Sequence, residues 1–457
     1  MNQHVTPIEI DIDLSEELQA AVAAGDAVQL DSLLERLSLS EALRELLNLT
    51  VEERGSVLTL VSPEMAANLI EEAPHEVAAD LMEGLETERA VEIMDELDSD
   101  VQADLIGDME HEEAEAILSQ MDAEEAADVR RLSEYEDDTA GGLMMSEVFA
   151  CADTMTVSDV IKVLAKDDDD VDRYRGQHPY IIDGTGRLVG VVSLRGLLAT
   201  KRAALLTTIM VEPKTVLANA TLSDLGDIFD KFDFLGVPVV GDDGKVLGVV
   251  SRDAVSQALL ERAESENLKL QGVVGDELRS MPTWLRSRRR LAWLSANIVL
   301  NMIAASVISA YEETLLAVIA IAVFLPMVSD MSGCSGNQAV GVTMRELSLG
   351  LVRPKDAFKV WLKEISVGVI NGIALGILIG IVAWIWKGSP ALGLVIGAAL
   401  ALNTMLAVSI GGVVPLLLKR IGQDPAVASG PLLTTVTDMA GFFFVLSLAT
   451  LLMPWLV

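Results

Sequence analysis

Five apolar stretches crowd the C-terminal part of the chain, near residues 291–311, 314–344, 360–386, 391–418 and 429–456. Each reaches the roughly 20 residues that an α-helix needs to cross the hydrocarbon of a bilayer. In that medium backbone polar groups must be satisfied internally, so such stretches are expected to be helices. The second is interrupted by Asp330 and a glycine-rich patch, and is expected to kink or break there. Basic residues set the direction. Arg286, Arg288, Arg289 and Arg290 precede the first stretch, Arg345, Arg353, Lys355, Lys359 and Lys363 follow the second, and Lys419 and Arg420 follow the fourth. The alternate loops, YEE (311–313) and WKGSP (386–390), hold one base, Lys387. With five spans, all the heavily basic loops fall on one side, which the positive-inside rule makes the cytoplasm. The N-terminal part is then cytoplasmic and the C-terminus outside.

Charge divides the chain at the same place. Residues 281–457 carry 8 acids and 12 Lys or Arg, whereas the first 280 residues carry 61 acids and 21 bases, a net charge of -40. Such a front argues against a nucleic-acid partner, which needs a basic surface. It suits cations, or simply a well-solvated surface. Two cysteines, Cys151 and Cys334, make no disulfide framework. The segment MNQHVTPIEIDIDLSEEL lacks an apolar core and does not read as a signal peptide.

Residues 62–133 divide into six units of 12, from SPEMAANLIEEA to DAEEAADVRRLS. Unit positions 5, 8, 9 and 12 are mostly apolar, as in Ala78, Leu81, Met82 and Leu85, which lines one face of a short helix. Short helices at a fixed period stack into a superhelix; an ordinary helical bundle is the competing reading. Residues 144–262 change character. HPYIIDGTGRLVGVVSLRGLL (178–198) and GVPVVGDDGKVLGVVSRDAVSQAL (236–259) each read strand, Gly-Asp turn, strand ending GVVS, then helix. This duplication resembles a tandem pair of CBS domains, regulatory modules that often bind adenine nucleotides. Relatives that do so commonly place Asp three residues after the Ser or Thr. Here those positions are Gly196 and Ala254, with Asp253 one residue early, which counts against ATP as a ligand. The run DDDDVD (167–172) reads as a solvated loop, and 261–280 as a connecting helix.

Within the last span lies PLLTTVTDMAGFFFVL (431–446), carrying Asp438. An ionisable residue at that depth is expensive and usually faces a partner or a water-filled path. Gly430, Thr434, Asp438 and Gly441 recur at helical spacing, a small, oxygen-bearing stripe suited to a cation. The competing reading is helix packing through small residues, with Asp438 hydrogen-bonded to another span. Asn297, Asn301, Asn371 and Asn403 also lie in the spans, each readable as interhelical glue, and PMVSDMSGCSGNQAV (326–340) offers Asn337 and Gln338. Oxygen ligands without a thiolate or imidazole cluster favour Mg²⁺ or Ca²⁺ over softer metals. Two chains meeting at a two-fold axis would bring two copies of Asp438 to one pore. No acid–base or nucleophile constellation suggests an enzyme.

SGNQA (335–339), DPAVASGPLLTTVTD (424–438), YEDDTAGGLMM (135–145) and the order of domains together resemble the MgtE family of magnesium channels. The resemblance implies a homodimeric Mg²⁺ channel in the cell (inner) membrane, gated by cytosolic Mg²⁺. Its pore aspartate matches Asp438, its backbone-carbonyl ligand Thr434, and a remaining pore Asn matches Asn337. Gly430 and Cys334 stand where the family often has Asn. The loop aspartate that relatives use in sensing matches Asp424. Other sensor acids fall at Ala254, Gln257 and Asn267, so sensing is expected to rest on Asp253, Glu261, Glu264, Glu266 and acids of the N-terminal region.

The expected architecture is a multidomain membrane protein. It has an all-α superhelical N-domain (1–134), an α/β tandem CBS pair (135–260, split at 203/204), a connecting helix (261–285) and a five-helix transmembrane α domain (286–457). Its partners are Mg²⁺, other divalent cations, the lipid bilayer and a second copy of itself. Two alternatives remain: an exchanger coupling a divalent cation to Na⁺ or H⁺, and a non-transporting membrane sensor whose CBS pair reads nucleotides.

Overall fold

The computed structural model describes residues 12–165, 174, 178–273, 275, 277–279 and 281–457, with side chains from residue 17. The DDDDVD run and the first eleven residues lie outside the described residues. The chain forms two compact units, residues 1–263 with 278–280, and residues 264–277 with 281–457.

The first unit opens with ten short helices: α1 (Ile12–Ala24), α2 (Ala27–Leu34), α3 (Leu39–Asn48), α4 (Val51–Leu60), α5 (Pro63–Glu72), α6 (His75–Glu83), α7 (Thr87–Met94), α8 (Ser99–Asp108), α9 (His111–Leu118) and α10 (Ala123–Leu132). From α2 onward every helix starts 12 residues after the last, so the repeat reaches 36 residues further toward the N-terminus than the six units read from sequence. Capping residues carry the period. Asp26, Ser38, Thr50, Ser62 and Asp122 each accept a hydrogen bond from a first-turn amide, satisfying a donor that the helix cannot. Helices this short are unstable alone in water. Here most lean on the helix two further along, α3 on α5, α5 on α7, α6 on α8 and α7 on α9. The predicted stripe is the buried one: Ala78, Leu81 and Met82 are enclosed and Leu85 half-buried.

The CBS region follows as two small sheets. One is three-stranded, with β2 (Ala150–Ala152), β3 (Tyr180–Ile182) and β4 (Leu188–Val191). The other is four-stranded, in the order β1 (Met144–Met145), β7 (Val246–Ser251), β6 (Gly236–Val240), β5 (Val216–Leu217). The flanking helices are α11 (Val157–Leu164), α12 (Leu194–Ala199), α13 (Leu222–Lys231) and α14 (Arg252–Leu270). Both predicted strand–turn–strand–helix copies form. Their hairpins turn at Gly186 (φ +82°) and Gly244 (φ +79°), a left-handed geometry that glycine adopts without strain. The superhelix joins this region through Ser99, which donates to Glu147 at 2.7 Å and accepts from the Ser146 amide at 2.8 Å.

Among the described residues the second unit holds five helices long and apolar enough to cross a membrane. They are α15 (Thr283–Ala310), α17 (Leu325–Ser348), α18 (Ala357–Lys387), α19 (Pro390–Arg420) and α20 (Pro425–Leu451), with the short α16 (Glu312–Ala317) between the first two. The second span is not broken at Asp330. Residues 325–348 form one helix through the glycine-rich patch, and the break comes earlier, at a 3₁₀ turn over Ile319–Val323. Within a bilayer an opened turn would strand its amides, so the glycines stay helical and serve close packing instead. The most extensive packing joins α18 and α19. A Cβ added at Gly376 would lie 2.5 Å from the Gly397 carbonyl, and one at Gly397 2.5 Å from the Gly376 carbonyl. Such backbone contact supplies van der Waals attraction where lipid removes the hydrophobic drive. α19 lies against both α17 and α20, and α15 packs on α20.

Candidate functional site

Asp438 lies near the middle of α20 and is half-buried. Its Oδ1 accepts a hydrogen bond from Ser329 Oγ on α17. The contact ties the carboxylate to the neighbouring helix without enclosing it. Thr434, one turn earlier on α20, is exposed, and its hydroxyl donates back to the Gly430 carbonyl at 3.0 Å. Gly441 departs from the stripe read from sequence: it is fully covered, pressed against Asn403 of α19. On α17, Asp330, Cys334 and Asn337 follow one another at spacings of four and three and are all exposed. In one chain, therefore, two adjacent candidate membrane helices present exposed Asp330, Cys334, Asn337 and Thr434 beside half-buried Asp438. Sequence reasoning passed over Ser329; its signal was a hydroxyl next to Asp330, a pattern too common to single out.

The connecting segment reaches the far ends of the same two helices. Leu270, the last residue of α14, packs against a buried cluster formed by Val340 and Met344 of α17 with Ala426 and Leu433 of α20. Ser348 Oγ at the end of α17 donates to Glu266 at 3.0 Å. Asp424 caps α20, accepting the Ala426 amide at 2.8 Å, and pairs with Lys269 at 3.3 Å. Lys269 was not anticipated from sequence. Three neighbouring residues of the connecting segment thus seat on the ends of the helices that carry Asp438.

The remaining sensor candidates are spread out. Asp253 and Glu264 are exposed on α14. Glu261 accepts from Gln257 at 3.0 Å and lies 3.6 Å from His75 Nε2, while Asp104 lies 3.9 Å from His75 Nδ1. Bonding to Glu261, with Asp104 and Asp108 nearby, pushes the His75 imidazole up to about 9. Burial, reinforced by Asp100, Asp137 and Asp108 against the pull of His75, raises Asp104 to about 7. The His75 hydrogen bond holds Glu261 below the usual carboxylate range. Among the described residues no three His, Cys, Asp or Glu side chains of one chain gather as a metal site. In the CBS region Ser193 and Ser251 cap their helices, accepting the amides of Gly196 and Ala254 at 3.0 Å each. No carboxylate stands at either of those helix positions.

Comparison with known proteins covers most of this architecture. The family described as divalent cation transporter (MgtE) matches residues 325–448, the MgtE intracellular N domain matches 26–138, and CBS domains match 140–201 and 206–261. The magnesium transporter MgtE of Thermus thermophilus is 34% identical over 333 residues, covering 71% of this chain and 72% of that protein. The magnesium transporter MgtE of Enterococcus faecalis is 31% identical, covering 72% of each. A crystal structure of the cytosolic domain of the Mg²⁺ channel MgtE in complex with ATP aligns with 53% of this chain and 99% of that one, at 29% identity and a TM-score of 0.49.

Proposed function

The chain belongs to the MgtE family of magnesium transporters, and from that premise we propose that Mg²⁺ crosses the membrane along the uncovered polar face of α17 and α20, with Asp438 as its stopping place. Its function is Mg²⁺ transport under the control of its N-terminal and CBS regions. The observation that carries the pore assignment is the exposure of Asp330, Cys334, Asn337 and Thr434, beside half-buried Asp438, on helices built to span lipid. Polar groups facing hydrocarbon are costly and belong at a bundle interior or a water-filled path. A second copy of the chain, related by a two-fold axis, would cover that face with itself and leave water between the two. Two Asp438 carboxylates would then flank one path. Mg²⁺ sheds its water reluctantly, so Asp438, the Thr434 carbonyl and Asn337 would hold it through its hydration shell.

Control follows from charge. The first 280 residues carry a net charge of -40 and repel themselves when Mg²⁺ is scarce. Mg²⁺ bridging their carboxylates draws them together, and the connecting segment seated at Leu270, Glu266 and Lys269 passes that change to the ends of α17 and α20. Asp253, Glu261, Glu264, Glu266 and Asp424 are the acids on or beside this route. With the basic loops on the cytoplasmic side, the front and the connecting segment would lie in the cytoplasm and the C-terminus outside the inner membrane. This reading does not require ATP, for which a place in the CBS region would lack an Asp at Gly196 and Ala254, with Asp253 one residue early.

Cys334 tests the path. It is exposed, whereas Cys151 is buried. A charged, thiol-specific methanethiosulfonate reagent needs water to reach it. The reagent is expected to block Mg²⁺ flux in the native chain and to leave Cys334→Ser unaffected. Labelled Cys334 with full flux would remove this face from the path.

A further inference from the structure

Asn403 lies in α19, on neither of the helices that carry the proposed path, and is completely buried. Its Nδ2 donates to the Thr437 carbonyl of α20 at 3.0 Å and approaches the Val328 carbonyl of α17 at 3.5 Å. Thr437 immediately precedes Asp438. Val328 immediately precedes Ser329, whose hydroxyl holds Asp438. One amide therefore touches the backbones of both helices at the residues next to the carboxylate. The two carbonyls also fix which end of the amide faces them, since an oxygen there would be repelled.

Neither carbonyl needs this bond. Each lies inside a helix and already accepts from the amide four residues on. The amide rescues no stranded acceptor, and its own oxygen goes without a protein partner, as does the hydroxyl of neighbouring Thr404. A buried polar atom left unpaired is destabilising, and an apolar residue of the same size would pack without that loss. The surroundings nevertheless make room for the amide. A Cβ added at Gly441 would lie 2.7 Å from Asn403 Nδ2, so α20 carries glycine where the side chain enters. What the arrangement provides is register: three helices pinned together at the depth of Asp438.

We propose that Asn403 is the positioning residue of the Mg²⁺ path, its amide setting the separation of Asp438 from the α17 backbone and thereby the fit of a hydrated ion. The assignment rests on the pore reading given above. Mg²⁺ demands near-ideal octahedral geometry, whereas Ca²⁺ accepts variable numbers of ligands in flexible arrangements. Loosening the junction should harm Mg²⁺ more than Ca²⁺.

The test is flux into proteoliposomes containing the full chain. Asn403→Leu keeps the volume and removes the amide; Asn403→Ser, smaller and polar, serves where the leucine variant does not assemble. Assembly is measured by size exclusion before reconstitution. For the assembled variant the half-saturating Mg²⁺ concentration is expected to rise roughly three- to ten-fold, the equivalent of one or two hydrogen bonds, and the Mg²⁺-to-Ca²⁺ flux ratio to fall. A purely structural residue would lower the yield of assembled protein while leaving both quantities at their native values, and that result overturns the proposal. Failure of both variants to assemble overturns it too, because Asn403 is then a packing residue. The native chain and Asp438→Ala are measured in the same preparation. Equal flux from those two would sink the pore reading itself, independently of Asn403.

Discussion

His75 begins α6, and its imidazole sits between two carboxylates, Glu261 of α14 on one side and Asp104 of α8 on the other. Its raised value, about 9 against an ordinary 6.5, means that the folded chain holds the proton more tightly than the unfolded chain does. The stabilisation is then complete below 6.5 and is lost as pH rises through 9. Asp104, raised by burial to about 7, acts in the same direction, because its ionisation puts a charge into a buried site beside other acids. The melting temperature of the native chain should therefore exceed that of His75→Gln most clearly near pH 6, with the gap closing by about pH 10. A gap independent of pH would show that the imidazole acts through packing and not through its charge. This residue could not be read from sequence. Its partners lie far along the chain, and a lone histidine in an acidic helix looks the same whether paired or solvated. Asn403 was hidden for the same reason, as one of five intramembrane asparagines with nothing in its own neighbourhood to set it apart.

The elements were more legible than the contacts among them. The 12-residue period survives into the structure because each unit carries its own apolar stripe and a turn, with a side-chain cap as well on α2, α3, α4, α5 and α10, so local chemistry punctuates it. The spans were legible because a bilayer imposes length and apolarity. What misled was the glycine-rich patch, where glycine's weakness as a helix former in water suggested a break. In a membrane the satisfied backbone wins, and the interruption falls instead at Ile319–Val323, ahead of Pro326. Nor did the sequence show that the end of α14 seats on α17 and α20. That docking carries its own prediction. Lys269 and Asp424 are partly exposed, with side chains 31% and 43% accessible, so their pair contributes little in isolation. Lys269→Ala is expected to raise the Mg²⁺ concentration needed for half-inhibition of flux by roughly two- to five-fold, the range open to a screened surface pair. Inhibition unchanged in midpoint would mean that the connecting segment does not transmit the signal through this contact.

At the scale of the whole molecule the chain joins opposites: a front with a net charge of -40 and a membrane unit whose charges lie mainly at its ends. In the proposed account the front would concentrate divalent cations and respond to them, while the membrane unit would offer them a polar face in an apolar body. That division was visible in the sequence because charge and hydropathy change at the same point. The pairing of α17 with α20, and the face they leave uncovered, was not, because covering is a property of packing. The central claim is that this face is the ion's path and Asp438 its stopping place. It is tested most directly by Mg²⁺ flux into proteoliposomes, native chain against Asp438→Ala, with assembly verified by size exclusion. The account predicts that the assembled variant loses Mg²⁺ flux. Undiminished flux from Asp438→Ala would contradict it and leave Asp438 as a residue that only joins α20 to α17 through Ser329.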